Sequence, residues 1–146
     1  MDEILQEILV GENLVIDGDF NGHVGIDKLG YERVHGGYSF GDRNEARESI
    51  LDFALASVLV VANTMYKKKD EHLITFKSGV VKSQIDYVLV RKVDRLKYNN
   101  CKVIPRQSLT SQHKILVLDL YFEGQYQARE DSGCHRTRWW DLKGIN

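Results

Sequence analysis

The sequence has little of what marks a secreted, membrane-spanning or strongly basic protein. It contains one proline and two cysteines, Cys101 and Cys134, and neither cysteine lies in a CxxC pattern. A disulfide scaffold or a zinc knuckle is therefore not indicated, and a reducing compartment is expected. The start of the chain lacks the basic region of a secretory signal, and its longest apolar run, from Val58 to Ala62, is far shorter than the ~20 residues of a membrane span. We expect an intracellular protein, in the nucleus or cytoplasm, with no membrane partner.

Neither sign of charge is in large excess, because the sequence has 20 Lys and Arg and 21 Asp and Glu, for a formal net charge of −1. A nucleic-acid partner would then need a local basic patch. The run Lys67-Lys68-Lys69 is interpreted first as a solvated turn and second as a phosphate contact. The basic and aromatic tail at 136–143 could stack on nucleic acid, but docking on a core or on a following domain is preferred. The apolar content of 42% and the length of 146 residues predict one globular domain.

One apolar run that ends abruptly on polar residues is the most informative stretch. The residues from Leu14 to Asn21 read LVIDGDFN, which predicts a buried strand followed by a turn. Because side chains alternate along a strand, Asp17, Asp19 and Asn21 would share one face, and Ile16 and Phe20 the other. A carboxylate and an amide on one face could act on a substrate above the sheet. They could equally end the strand, because Asp, Asn and Gly favour turns.

The rest of the chain alternates between helical and extended patterns, which indicates α/β or α+β structure. The glycine-rich segment from Gly22 to Asn44 predicts an irregular, functional or disordered loop. Its His23 and His35 could suggest a metal site, but they lack a partner at ligand spacing. Helices are predicted at 4–10 and 45–59, with an apolar stripe that includes Leu55 and Val58. Strands are predicted at 59–64, 74–78, 83–90, 101–105 (a short edge strand, given Pro105) and 114–122.

Two polar residues in the later strands need an explanation. Asp86 lies between Ile85 and Tyr87 in the strand predicted at 83–90, and burying a carboxylate is costly unless it is paired. A histidine or arginine elsewhere in the chain is the first candidate for its partner. His113 stands where a polar loop meets the last strand, and such junctions commonly carry functional groups.

Four segments, in this order, resemble the C-terminal half of the endonuclease/exonuclease/phosphatase superfamily. They are Gly18-Asp19-Phe20-Asn21, Thr75-Phe76, Ser83-Gln84-Ile85-Asp86-Tyr87 and Ser111-Gln112-His113. Within the superfamily, the sequence is most similar to LINE retrotransposon endonuclease domains and to the craniofacial-development-protein-2-like proteins derived from them. The segments 22–25, 35–44 and 110–113 fit the latter group, and the tail at 139–143 resembles the connector after such a domain.

The resemblance implies half of a four-layer αββα sandwich, with one mixed or antiparallel sheet and helices on its outer face. It implies a partial domain at 1–122, followed by a linker and basic-aromatic tail at 123–146. The superfamily hydrolyses phosphate esters with Mg²⁺ or Mn²⁺. By resemblance, Asp19 would orient or deprotonate the attacking water, Asn21 would donate to a phosphate oxygen, His113 would stabilise charge on phosphorus, and Asp86 would orient His113.

Two departures from the superfamily pattern shape the expected function. Only 13 residues precede Leu14, so we expect this chain to lack the superfamily's N-terminal half with its metal-binding glutamate. Gln112 stands where a metal-binding aspartate is usual, and an amide is a weaker ligand for a hard dication. Asp17 could contribute, although a solvated strand end is the preferred interpretation. We expect a truncated DNA-endonuclease-like phosphodiesterase that is inactive on its own.

The alternative is a non-catalytic, domesticated remnant that binds nucleic acid or protein. DNA is a possible ligand of the first form, and a nucleic acid or a protein of the second. A half sandwich would expose the sheet face that normally packs on the other half, and a large apolar face invites a partner. A separate N-terminal half, or a second copy of the chain, is therefore the expected protein partner.

Overall fold

The computed structural model describes residues 12–42 and 48–121 and contains α-helix and β-strand. The helix predicted at 4–10 and the linker and tail predicted at 123–146 lie outside this range. The strands are β1 (Val15–Asp19), β2 (Leu59–Val61), β3 (Phe76–Ser78), β4 (Val81–Ser83), β5 (Asp86–Arg91), β6 (Tyr98–Ser108) and β7 (Lys114–Leu120), and the helix α1 is Glu48–Ala56. In the described ranges, no helix has the length and apolar character needed to cross a membrane.

The strands form three antiparallel sheets, where the resemblance implied one. The largest has the order β1-β5-β2, and the other two are the pairs β3-β4 and β6-β7. A single bridge between Phe76 and His113 links the two pairs. The mixed α and β class with antiparallel strands is confirmed, and the four-layer sandwich stays a prediction.

Strand β5 lies in the centre of its sheet and is buried on both faces. Tyr87 and Leu89 point into a first apolar core, which Leu51 of α1 and Val24 of the glycine-rich loop also enter. Val88 and Val90 point into a second core on the opposite face, built with residues of β6 and β7. The continuous apolar run of β5 follows from this two-sided burial, as in any strand covered on both faces.

Strand β1 has the alternation that its sequence predicts. Ile16 and Phe20 pack against the first core, whereas Asp17 and Asp19 are exposed on the other side. Asn21 lies beyond the strand and has a φ of 48°. It therefore belongs to the turn after β1, although the sequence pattern had placed it on the face of Asp19.

The helix ends earlier than predicted, and the strand after it is shorter than predicted. Ile50, Leu51 and Ala54 of α1 are buried, but Leu55 is 40% exposed and Val58 is 60% exposed, so the predicted apolar stripe is wrong at its end. Val58 has a φ of 54° and stops the helical turn. Strand β2 ends at Val61, because the chain turns there into a 3-10 helix at Ala62–Thr64 whose three residues are buried.

The segment before the last strand is more ordered than predicted. The charged stretch that was interpreted as a loop contains a 3-10 helix at Lys92–Lys97. The short edge strand predicted at 101–105 is the eleven-residue β6. Pro105 is tolerated because the register with β7 shifts between Ile104 and Ser108, so no ladder hydrogen bond is needed from its nitrogen.

Cys101 is a free cysteine in the second core. Burial raises the pKa of its thiol to about 12, and the nearby carboxylate of Asp119 adds to the shift. The thiol therefore stays protonated and unreactive at neutral pH. Cys134, the other cysteine, lies outside the described residues.

Two leucines of α1 test the core assignment on one helix. Leu51 is fully buried and Leu55 is 40% exposed. We expect Leu51→Ala to lower the free energy of unfolding by about 2–5 kcal/mol, because it removes buried apolar surface and leaves a cavity. Leu55→Ala should cost less than ~1 kcal/mol. Urea denaturation followed by circular dichroism measures both, and equal losses of stability would contradict the packing of α1 described above.

Candidate functional site

Asp19, Asp86 and His113 meet at one end of the central sheet. Asp19 of β1 and Asp86 of β5 are register partners, so their side chains leave neighbouring strands on the same face. His113 immediately precedes β7. One ligand atom from each of the three residues lies within 4.8 Å of the others. The three positions, which are far apart in the sequence, are therefore brought together as expected.

The imidazole of His113 lies between the two carboxylates. Its Nδ1 is 3.1 Å from Oδ2 of Asp86, and its Nε2 is 3.9 Å from Oδ2 of Asp19. An ionised carboxylate only accepts, so Nδ1–H donates to Asp86. Asp86 and His113 are half-buried, and Asp19 is exposed. The hydrogen bond directs Nε2 towards Asp19 and solvent, and supplies the partner that Asp86 was expected to need.

The ring of Phe76 packs edge-on against His113. The ring centroids are 5.2 Å apart at an interplanar angle of 68°, and the two residues form the bridge between β3 and β7. Such edge-to-face contacts are worth about 0.5–1.5 kcal/mol beyond the buried area. Phe76 therefore limits rotation of the imidazole from one side while Asp86 holds it from another.

Asn21 acts on Asp19 through the backbone. Its N–H donates to Oδ1 of Asp19 over 2.8 Å, and its positive φ is one that asparagine tolerates better than most residues. This turn leaves Oδ2 of Asp19 facing His113. The role expected for the Asn21 side chain, donation to a phosphate oxygen, stays a prediction.

Two buried side chains hold the backbone of Asp86. Its N–H donates to Oγ1 of Thr75 over 3.1 Å, and its carbonyl oxygen accepts from Nδ2 of Asn63 over 3.1 Å. Thr75 also accepts from the N–H of Ile85, and Oδ1 of Asn63 accepts from that of Val88. The side-chain amide of Asn63 thus makes the hydrogen bonds to β5 that the backbone of β2 would have made if that strand had continued past Val61. Both main-chain polar groups of Asp86 are fixed by side chains.

Sequence reasoning missed both residues as parts of the site. Thr75 was quoted only as part of a motif, and Asn63 only as the polar end of a strand. The available signal was a polar residue directly next to an apolar run, since such a residue is buried only if it is hydrogen-bonded. That signal alone would not have named Asp86 as the shared partner.

The glycine-rich loop is tied to β5 by hydrogen bonds. The hydroxyl of Tyr87 accepts from the N–H of Val24 and donates to the carbonyl of Gln84. The side-chain oxygen of Gln84 accepts from the hydroxyl of Ser39 and from the N–H of Phe40. The described part of the loop, residues 22–42, is therefore anchored beside the candidate site by buried polar groups.

Neither loop histidine joins the candidate site. His35 is buried, with Nε2–H donating to the carbonyl of Gly25 and Nδ1 accepting from the N–H of Gly37. Both ring nitrogens are therefore engaged in holding the loop. The adjacent Gly36 has no room for a side chain, because a Cβ there would clash with the carbonyl oxygen of Thr64. His23 lies outside the cluster formed by Asp19, Asp86 and His113.

The three clustered residues could hold a metal ion but do not complete a magnesium site. They offer two carboxylates and one imidazole, whereas Mg²⁺ takes oxygen ligands in a near-ideal octahedron. His113 already donates Nδ1–H to Asp86. Gln112 is exposed, and its amide nitrogen donates to Oγ of Ser78 over 3.2 Å. The donor set within the described residues therefore lacks several oxygen ligands.

This chain is similar in sequence to craniofacial development protein 2 of two mammals. Craniofacial development protein 2 of Tragulus javanicus is 33% identical over 106 residues, and that of Bos taurus is 31% identical over the same length. Each alignment covers 71% of this chain and 18% of the relative, so the chain spans less than a fifth of those proteins. No family model and no solved structure matches the chain. The chain is thus homologous to a segment of craniofacial development protein 2, and the resemblance to that group is confirmed.

The hydroxyl of Thr75 can be tested by a substitution that keeps its shape. Thr75→Val leaves the N–H groups of Ile85 and Asp86 without this acceptor, and each unsatisfied buried group costs about 1–3 kcal/mol. Thr75→Ser keeps the hydroxyl and removes a methyl group, for about 1 kcal/mol. We expect urea denaturation to find the valine variant less stable than the serine variant. The reverse order would mean that the hydroxyl does not support β5.

Proposed function

We propose that this chain carries part of the active site of a metal-dependent phosphodiesterase. The lineage is that of the retroelement DNA endonucleases within the endonuclease/exonuclease/phosphatase superfamily. The observation that carries the proposal is the Asp86–His113 hydrogen bond beside Asp19. A carboxylate-held imidazole next to a second, exposed carboxylate suits hydrolysis of a phosphate ester.

Each residue of the site would have its own role in phosphoryl transfer, a reaction that depends mostly on positioning and charge stabilisation. Asp86 accepts the Nδ1–H of His113 and fixes the ring, and when Nε2 also carries a proton its N–H can donate to a phosphate oxygen as negative charge develops. Asp19 lies too far from Nε2, at 3.9 Å, for a direct hydrogen bond. One water molecule can span that gap, and Asp19 would orient this water for attack. The side chain of Asn21 would donate to another phosphate oxygen.

The dication that such a reaction uses, Mg²⁺ or Mn²⁺, would neutralise phosphate charge next to Asp19. The described residues supply too few oxygen ligands to hold it firmly, and Gln112 adds none of the negative charge that a carboxylate would bring. We therefore propose that the chain does not catalyse on its own and needs ligands from elsewhere.

The fold supports the same proposal. A central sheet with a helix on one face and a β-hairpin on the other is compatible with half of a four-layer sandwich. In the three-stranded sheet β1 is an edge strand that pairs with β5 only, and Val15 on β1 is 46% exposed. An unpaired edge of this kind offers backbone groups to an added strand. A separate N-terminal half, or a second copy of the chain, is the partner we propose for it.

The second candidate function is a binding module without catalysis. It is favoured by the same shortage of metal ligands, because a remnant released from catalytic selection could keep the fold and lose the dication. DNA remains the proposed ligand in this case, with a protein as the alternative.

A plasmid-nicking assay with Mg²⁺ or Mn²⁺ tests catalysis directly. The unaltered chain is compared with Asp19→Asn and His113→Ala, and an EDTA control removes the metal. We expect all three proteins to nick at the same background rate, because the metal shell is incomplete. If the unaltered chain is faster than both variants by tenfold or more, the chain is a complete enzyme and our proposal of incompleteness is wrong.

A metal-binding experiment tests the missing ligand. Gln112→Asp adds the carboxylate that the superfamily pattern has at this position, and we expect it to tighten Mn²⁺ binding by roughly tenfold. Paramagnetic broadening of the His113 ring signals reports binding at the candidate site. Ser111→Asp is the matched control, since it adds the same charge one residue away. Equal tightening in both variants would point to a general charge effect and remove Gln112 from the site.

A further inference from the structure

Three lysines from three neighbouring strands line one concavity beside the β3–β7 bridge. Lys82 lies on β4, Lys77 on β3 and Lys114 at the start of β7, and the space between them is about 160 Å³. Glu71, Ile74 and Pro105 complete the lining. We call Lys77, Lys82 and Lys114 the lysine cluster.

Strand register brings these charges together. Lys77 and Lys82 are direct cross-strand partners, so their side chains emerge side by side on one face of the hairpin. Like charges in this arrangement are destabilising. Lys114 follows along the other edge of β3, where its N–H donates to the carbonyl of Thr75, and the N–H of Lys77 donates to the carbonyl of Gln112. The fold therefore places three lysine side chains around one concavity, with a cost in stability where Lys77 and Lys82 are cross-strand partners.

Little within the described residues offsets this positive charge. Nζ of Lys114 donates to the neutral hydroxyl of Ser108 over 3.1 Å. Glu71 is the one carboxylate that lines the concavity, and its Oε1 lies 3.5 Å from Nε2 of His72. Three lysines against one glutamate leave an excess of positive charge, which an oxyanion in the concavity would neutralise.

We propose that the lysine cluster binds a backbone phosphate of the nucleic acid whose scissile phosphate lies at Asp86 and His113. This inference rests on the proposed function. Lys114 follows His113 directly, so both sites are built on the same β3–β7 junction. Adjacent strand residues point to opposite faces, so the cluster does not face the reacting phosphate; it contacts a second phosphate where the nucleic acid passes around this junction, and it takes no part in the reaction. Lysine contacts of this kind position the strand and carry no sequence information.

Fluorescence anisotropy with a labelled DNA duplex, without added dication, tests the proposal on the full chain. The variant Lys77→Ala/Lys82→Ala/Lys114→Ala should weaken binding by tenfold or more. It should also reduce the slope of log K against log salt by about one for each phosphate that is no longer bound. Lys67→Ala/Lys68→Ala/Lys69→Ala is the matched control, with the same change in charge outside the cluster. An equal reduction of affinity in both variants would overturn the proposal, because general charge would then account for the binding.

Three further measurements separate the alternatives. The variant in which all three lysines are replaced by arginine keeps the charge and should bind DNA within about threefold of the unaltered chain. Lys82→Ala should unfold at the same urea concentration as the unaltered chain or at a higher one, because it removes the repulsion between Lys82 and Lys77. Inorganic phosphate should displace DNA no better than chloride at equal ionic strength. Selective displacement at millimolar phosphate would instead identify a site for free phosphate and overturn the nucleic-acid assignment.

The outcome also distinguishes this inference from the proposed function. If Gln112→Asp fails to tighten Mn²⁺ binding at His113 while the lysine cluster still governs DNA affinity, the proposed function fails and the phosphate contact remains. If the cluster variant binds DNA as the unaltered chain does, the inference fails whatever the metal site does.

Discussion

The position of one backbone unit, that of Asp86, governs the arrangement of the candidate site. Its N–H and carbonyl are held by Thr75 and Asn63, two buried side chains from different segments of the chain. The carboxylate of Asp86 can then meet His113, which comes from a different sheet, while register with β1 places Asp19 opposite. A polar network of this kind is favourable only when its members are satisfied, and here the main-chain groups of Asp86 are.

The parts of the fold that sequence patterns predicted are those set by local periodicity. The alternation around Asp17 and Asp19 placed Ile16 in the core, and the apolar runs located β5 and β7 to within a few residues. Motif order then brought Asp19, Asp86 and His113 into one hypothesis, and their side chains do lie together. Because three separate strands must converge to produce this cluster, the agreement is more informative than any single motif.

The parts that could not be predicted depend on contacts between distant segments. The sequence around Asn63 has no local pattern that distinguishes a strand end from a buried hydrogen-bonding residue that contacts Asp86. Pro105 led to the prediction of a short strand, because the register shift that accommodates the proline depends on pairing with β7 and is not visible in the local sequence. Val58 kept helical spacing in the sequence but adopts a positive φ where the helix ends. In each case tertiary structure overrode a local preference. The lysine cluster likewise exists only through register across three strands.

Burial of β5 on both faces has a consequence for dynamics. Its alternate side chains belong to two different apolar cores, so displacement of β5 would expose apolar surface of both. Asp86 is the first residue of that strand, and its amide hydrogen is bound to a fully buried acceptor. Amide hydrogen exchange at Asp86 should therefore require global unfolding, whereas that of Asn21, in the exposed turn after β1, should need only local opening. One side of the site is rigid, and the other can adjust to a ligand.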